Sequence, residues 1–143
     1  TNPGETVKSL SQVASGGELS RIMLAIKTVM ASKDAIDTLI FDEIDAGISG
    51  KTAWKVSEQL NLVAGEHQVI CITHLPQIAA MADNHYFIEK KAEEGKTTTS
   101  ITRLSRDNSV KELARMLGGV EITDSVLVSA NEMKDMAEKV KSY

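Results

Sequence analysis

The chain has 143 residues, about the length of one domain, and its 42% hydrophobic and 25% charged residues are ordinary globular usage. Its net charge of −4 argues against holding nucleic acid by bulk electrostatics, and 3% aromatic residues argue against base-stacking platforms. A single cysteine excludes an internal disulfide, and no apolar stretch approaches the ~18 residues of a membrane span. We therefore expect a cytoplasmic protein without a membrane partner.

The first half of the chain predicts alternating helices and strands. A helix is predicted from Gly17 to about Ser32, with apolar residues at spacings of three, four and seven along one buried face: Leu19, Ile22, Met23, Ile26, Val29 and Met30. After a turn at 33–35, the apolar run 36–41 predicts a buried strand. A helix at 50–64, with Ala53, Val56, Leu60 and Val63 on one face, and a strand at 68–73 follow. Strand, helix and strand in this spacing predict a parallel βαβ unit.

The second half predicts a short helix, a hairpin and two longer helices. The short helix is expected at 75–82, beginning around Pro76. Strands at 85–91 and 97–104 flank a loop at 92–96 and predict a β-hairpin. A helix at 109–117 is predicted from a capping box of Ser109 and Glu112, and the last helix runs from Asp124 to about Lys141. Residues 89–115 carry a small excess of basic residues, which usually marks only a solvated face.

The segment SGGELSR at residues 15–21 opens the first predicted helix and has two interpretations. Ser15 and Glu18 have the spacing of a capping box, which satisfies the first N–H groups of a helix without any ligand. Gly16 and Gly17 would leave these N–H groups open to an anion at the positive end of the helix dipole, which is typical of a phosphate-binding site. The segment alone leaves both interpretations open.

Two adjacent carboxylates, Asp42 and Glu43, follow the first predicted strand. Ligands of parallel sheets bind at the carboxyl edge of the strands. One carboxylate is enough for a Mg²⁺ ion that keeps most of its waters, and the other can polarise a water molecule. The alternative is that the pair ends the strand and is merely solvated there.

His74 directly follows the second predicted strand. If the two strands are parallel, His74 converges with Asp42 and Glu43 on one sheet edge, where it can hydrogen-bond a terminal phosphate. It can also simply cap the helix that begins near Pro76. His67 and His85 are poorly placed to join it, so we expect no histidine metal site.

Residues 47–52, with the sequence GISGKT, end like a phosphate-binding P-loop. The full pattern needs glycine where the chain has Asp45, and the neighbouring carboxylates would oppose bound phosphates. We therefore expect no binding site for β- and γ-phosphates within this chain. The alternative, a self-contained P-loop kinase, would require such a site.

In this order and spacing, the segments resemble the motifs of ABC ATPases. Residues 15–18 are similar to the signature motif, 39–43 to the Walker B strand with its catalytic Glu, 45–50 to the D-loop, and His74 to the switch histidine. Within that superfamily, nearly the whole chain resembles the SMC-like ATPases of bacterial DNA repair, most closely at residues 14–21, 41–50, 73–80 and 112–119. The D-loop region departs from the Ser-Ala-Leu-Asp form of transporters, which leaves the role of Asp45 open.

The resemblance implies a role for each site residue. Asp42 would order Mg²⁺, Glu43 would position the attacking water, and His74 would sense the γ-phosphate of ATP. The signature would close on ATP held by a second head. The residues implied in ATP contact are Ser15, Gly16, Gly17, Glu18 and Asp45.

In this family the Walker A P-loop lies in an N-terminal half, which a long coiled coil separates from the C-terminal half. Residues 1–143 therefore resemble the C-terminal half of an α/β ABC-type head, with a parallel βαβ core, a β-hairpin and C-terminal helices. The chain begins at Thr1 without an initiator Met, as expected of a piece of a longer protein. Without Walker A, the chain alone would be inactive.

The implied function of the intact protein is hydrolysis of ATP to ADP and phosphate, coupled to head dimerisation, in bacterial double-strand-break repair and recombination. The implied partners are ATP, Mg²⁺, the N-terminal half, a second head, and DNA through the full-length protein at the nucleoid. Alternatives are a head fragment of another SMC-like ATPase and a non-catalytic module of the same fold. The presence of Glu43 and His74 argues against the latter.

Overall fold

The computed structural model describes residues 14–30, 35–93, 96–119 and 121–142. It has the predicted α/β class, with a parallel strand pair, an antiparallel hairpin and C-terminal helices. The backbone divides between Thr73 and His74 into two compact units.

The first unit contains the predicted parallel βαβ element, preceded by one helix. Its elements are α1 (Gly16–Met30), β1 (Thr38–Phe41), α2 (Gly50–Ala64) and β2 (Gln68–Cys71). The strands pair in parallel, with Thr38 opposite Gln68 and Phe41 opposite Cys71, and both are shorter than predicted. The four apolar residues predicted to share a face of α2 are buried, and α2 packs against α1 and β2. The predicted end of the first helix at Ser32 and most of the turn after it lie outside the described residues.

The apolar stripe of α1 is exposed, so the prediction that this face is buried is wrong. Its six residues, from Leu19 to Met30, have exposed fractions between 38% and 85%. The opposite face packs instead, with Gly17 and Leu24 buried. In the described part of the chain, that packed face meets α2 and the turn after β1.

The strands are also less buried than the sequence predicts. Phe41 is buried, but Ile40 on the other face of β1 is 68% exposed, and Ile70 and Ile72 on and after β2 are exposed as well. Parallel sheets are normally covered on both faces. Among the described residues, the face that carries Ile40 and Ile70 lacks such a cover.

The second unit contains a short helix, a hairpin and two longer helices. These are α3 (Pro76–Met81), β3 (Tyr86–Glu93), β4 (Lys96–Arg103), α4 (Arg106–Gly118) and α5 (Asp124–Lys141). The hairpin pairs Tyr86 with Arg103 and Glu93 with Lys96, so its strands extend further toward the turn than predicted. Helix α5 has the predicted bounds, and its N-cap Thr123 accepts a hydrogen bond from the N–H of Val126.

Helix α4 begins earlier than the sequence predicts, and the capping box assigned to Ser109 and Glu112 is wrong. The N-cap is Ser105, whose hydroxyl accepts the N–H of Asn108 at 3.3 Å. Ser109 is buried within the helix, with its Oγ 2.8 Å from Nδ1 of His85. Burial lowers the pKa of His85, although Glu112 partly opposes this.

The core of the second unit lies where α3, α4 and α5 pack on one another. Leu113 and several alanines are buried there, including Ala80, Ala114 and Ala130, and such small side chains let helix backbones approach closely. Among the described helices, none is both long and apolar enough to cross a membrane.

Candidate active site

Asp42 and Glu43 lie in a turn directly after β1, and both are exposed. The N–H of Glu43 donates to Oδ1 of Asp42 at 2.9 Å. Glu43 has a φ of 57°, in the left-handed region that residues with a side chain rarely occupy. Strained positions of this kind cluster at functional sites, which fits the prediction that the pair does more than end a strand.

The start of α1 forms the predicted capping box. The N–H of Ser15 donates to Oε2 of Glu18 at 2.8 Å, and the N–H of Glu18 donates to the Ser15 hydroxyl at 3.3 Å. These bonds from the backbone and hydroxyl of Ser15 lower the pKa of Glu18.

Gly17 leaves room for the backbone of the turn after β1, and Gly16 lies beside the end of the Glu43 side chain. A Cβ at Gly17 would lie 2.7 Å from the backbone oxygen of Glu43 and 2.9 Å from Cβ of Ala46. A Cβ at Gly16 would lie 2.7 Å from Oε2 of Glu43. The turn after β1 therefore packs directly on the N-terminus of α1, and the structure brings the signature segment and the acidic pair into one surface.

The side chains of Ser20 and Arg21 hold this turn, a role that sequence reasoning missed. The Ser20 hydroxyl donates to the backbone oxygen of Asp42 at 3.0 Å. Nη1 of Arg21 donates to the backbone oxygens of Ile44 at 3.0 Å and Ala46 at 2.9 Å. The sequence could have indicated this role, because Arg21 lies four residues after Gly17 and therefore on the same helix face.

Asp45 is buried and connects the turn to the end of β2. Its Oδ2 accepts the hydroxyl of Thr73 at 2.6 Å. Burial, and then the negative charges of Asp45 and Asp42, raise the pKa of the Cys71 thiol to about 12, so this thiol stays protonated. The predicted contact of Asp45 with ATP stays a prediction beside this structural role.

The carboxyl ends of β1 and β2 meet at one edge, as predicted. The N–H of Ile72 donates to the backbone oxygen of Phe41 at 3.0 Å, which extends the parallel ladder to the residue beside Asp42. His74 is exposed and is the first residue of the second unit. Its convergence with the two carboxylates stays a prediction.

The carboxylate of Asp42 suits a magnesium ion that is held mainly by water and phosphate oxygens. Such an ion needs one or two protein carboxylates, and the Asp42 side chain is exposed at the sheet edge. Among the described residues, there is no group of three or more His, Cys, Asp or Glu side chains that could hold a metal ion on its own. His67 is buried, with Nδ1 2.6 Å from the backbone oxygen of Ile36, so it fastens the segment before β1.

The P-loop-like segment forms the entry to α2. Gly47 and Gly50 have positive φ values of 73° and 51°, so each occupies a conformation that favours glycine. Lys51 lies in the first turn of α2 and is exposed. The backbone conformation alone therefore explains why this segment contains these glycines, without a bound phosphate.

Comparisons with known proteins define the class of the fold. No family model matches the chain. A solved structure titled "Structural biochemistry of ATP-driven dimerization and DNA stimulated activation of SMC ATPases" is similar, with a TM-score of 0.53 and 23% sequence identity. The likeness covers 80% of this chain and 68% of that one. This likeness shows that the two chains share a fold.

The curated relatives make the resemblance more specific. The chain is 50% identical over 142 residues to the DNA repair protein RecN of Bacillus subtilis, and 46% identical over 133 residues to RecN of Vibrio cholerae. These alignments cover 99% and 93% of this chain, but only 25% and 24% of the relatives. The chain thus spans about a quarter of their length. The resemblance drawn from the motifs is confirmed, since the chain is similar to a segment of RecN proteins along nearly its whole length.

Proposed function

We propose that this chain is the C-terminal part of an ATP-hydrolysing head in a DNA repair protein of the RecN type. The observation that carries the proposal is the packing of the start of α1 against the acidic turn, so close that a Cβ at Gly17 would lie 2.7 Å from the backbone oxygen of Glu43. That surface joins a helix terminus suited to anions with two exposed carboxylates suited to metal and water chemistry. The RecN relatives support the assignment to DNA repair.

The proposed roles follow from the chemistry of each side chain. Asp42 holds Mg²⁺, which neutralises phosphate charge when it is bound with ATP. Glu43 accepts a proton from the attacking water and orients it, and its carboxylate lies beside Gly16 at the start of α1. His74 hydrogen-bonds the terminal phosphate. Arg21 and Asp45 act as positioning residues, because they fix the turn that carries the acidic pair.

The rest of the ATP site comes from outside this chain in our proposal. An N-terminal half supplies the Walker A P-loop, which binds the phosphates. The signature motif of a second head closes on the nucleotide through Ser15, Gly16, Gly17 and Glu18 of that head. The exposed α1 stripe and the open sheet face support a missing structural partner. DNA binds through the full-length protein, which acts in double-strand-break repair and recombination at the bacterial nucleoid in the cytoplasm.

The test is ATP hydrolysis by a head reconstituted from this chain and the N-terminal half. We expect Glu43→Gln to retain ATP binding and to slow hydrolysis by at least ~10²-fold, the scale of lost general-base assistance. Glu66→Gln is the matched control, because Glu66 is an exposed carboxylate in a turn of the same unit. Turnover of Glu43→Gln near that of the control would remove Glu43 from the role.

The chain on its own should show little ATP affinity and no significant turnover, because it lacks the P-loop that grips β- and γ-phosphates. Calorimetry measures this directly. Micromolar ATP binding that disappears in Lys51→Ala would contradict the proposal and favour the P-loop kinase.

A further inference from the structure

A cationic cleft in the second unit lies outside the proposed ATP site. It has a volume of about 660 Å³ and is lined by residues at the end of α3, the end of β4, the start of α4 and along α5. Its lining contains four basic side chains and two carboxylates: Arg103, Arg106, Lys134, Lys141, Asp83 and Glu138. The cleft is thus locally positive in a chain whose net charge is −4.

Lys134 is the unusual member of this lining. It is only 8% exposed, and its Nζ donates to the backbone oxygens of Ala80 at 2.8 Å and Ala82 at 3.0 Å. Both acceptors are neutral, whereas buried charges are normally paired with an opposite charge. Two of the three ammonium donors are thereby used, which leaves one for a ligand.

The two carboxylates of the cleft are bonded to other cations. Asp83 pairs with Lys141 at 2.6 Å, and Arg106 pairs with Glu138 at 3.3 Å and with Asp135, which is outside the lining, at 2.5 Å. Burial and then the charge of Lys141 lower the pKa of Lys134, Glu138 and Asp83 partly oppose this, and Arg106 adds to the lowering. Because Lys134 is buried and donates to neutral backbone oxygens, an added anion would stabilise its charge.

Two further groups direct positive charge toward the cleft. Arg103 hydrogen-bonds the neutral side-chain oxygen of Asn84. Ser105 lines the cleft as the N-cap of α4, a 13-residue helix whose dipole is positive at that end. A phosphate oxygen between these groups would accept charge-assisted hydrogen bonds from Lys134 and Arg103.

We propose that this cleft binds a phosphate group, with Lys134 and Arg103 as its ligands. The volume lies in the range of clefts that hold a ligand larger than one phosphate ion. The phosphate therefore belongs to a DNA backbone or to a free nucleotide. The DNA source rests on the proposed function, whereas the phosphate site itself does not.

The experiment compares Lys134→Met and Arg103→Gln with the control Lys139→Met in the full-length protein that carries this chain. Lys139 is exposed on α5 outside the cleft, so its replacement makes the same charge change without touching the site. Arg103 is exposed and bonds a neutral partner, so Arg103→Gln keeps the test valid if Lys134→Met lowers stability. Thermal unfolding and ATP hydrolysis without DNA report the integrity of each variant.

Binding is measured with inorganic phosphate and AMP by ³¹P NMR, and with a blunt DNA duplex by fluorescence anisotropy over a salt series. If the source is DNA, both cleft variants weaken duplex binding at least fivefold and reduce the salt slope by about one per lost contact, as expected for phosphate ligands. If the source is a free nucleotide, both variants lose phosphate and AMP binding while duplex affinity matches the control. Phosphate and duplex binding equal to Lys139→Met in both variants would overturn the site. A wild-type protein that binds phosphate in the cleft but no DNA would contradict the proposed function and leave the site standing.

Discussion

Glu43 combines an unfavourable backbone conformation with the side chain proposed for water activation. A left-handed conformation costs a residue with a Cβ about 1–2 kcal/mol, and glycine would avoid that cost. The surrounding turn nevertheless holds Glu43 there through the bonds from Ser20 and Arg21 to neighbouring backbone oxygens. Such strain is expected where a side chain is needed for function more than for stability.

Replacement of Glu43 by glycine should therefore stabilise the chain while it abolishes ATP hydrolysis by the reconstituted head. We expect Glu43→Gly to raise the free energy of unfolding by about 0.5–1 kcal/mol, because relief of strain exceeds the added flexibility of the unfolded chain. Urea denaturation measures the change. Glu43→Gln, which keeps the same backbone strain, is the control and should stay within about 0.5 kcal/mol of the parent. A loss of stability in Glu43→Gly would show that contacts of the side chain outweigh the strain.

At the scale of secondary-structure elements, hydrophobic periodicity and capping residues predict the bounds of most helices. The bounds of the other helices depend on long-range contacts. The bounds of α2 and α5 follow from local patterns alone. For α4, both Ser105 and Ser109 are suitable caps, and Glu112 three residues after Ser109 favours the wrong one. The sequence does not reveal that His85 of the hairpin bonds the Ser109 hydroxyl.

The correct cap of α4 can be tested by removing its hydroxyl. Ser105→Ala should lower the free energy of unfolding by about 1 kcal/mol, since the N–H of Asn108 loses its acceptor. Ser129→Ala is a matched control within α5, because its exposed hydroxyl only bonds the backbone oxygen of Ser125 in the same helix. Chemical denaturation of the two variants should separate them, and equal stabilities would argue against the Ser105 cap.

For the molecule as a whole, the sequence predicts candidate site residues, and the structure adds the contacts between them. The motif spacing identifies Gly16, Gly17 and Glu43, yet their mutual contact depends on a turn 26 positions away in the chain. The α1 stripe has the correct period for a buried helix face, yet it is exposed in this structure. The open sheet face adds further exposed apolar side chains, Ile40 and Ile70, to the same unit.

If an N-terminal half covers the α1 stripe, charges placed on the stripe should block that association without unfolding the chain. We expect the double substitution Ile26→Lys and Val29→Glu to change the free energy of unfolding by less than about 0.5 kcal/mol, because both positions are exposed and both new residues favour helix. Burial of two aliphatic side chains is worth about 3 kcal/mol or more, so the affinity for the N-terminal half should fall at least ~10²-fold in calorimetry.

Leu62→Lys on α2 tests specificity, since Leu62 is also exposed and apolar but lies outside the stripe, and it should bind like the parent. Unchanged affinity of the double variant would place the interface elsewhere, and its unfolding in isolation would show that the stripe is already packed in the chain alone.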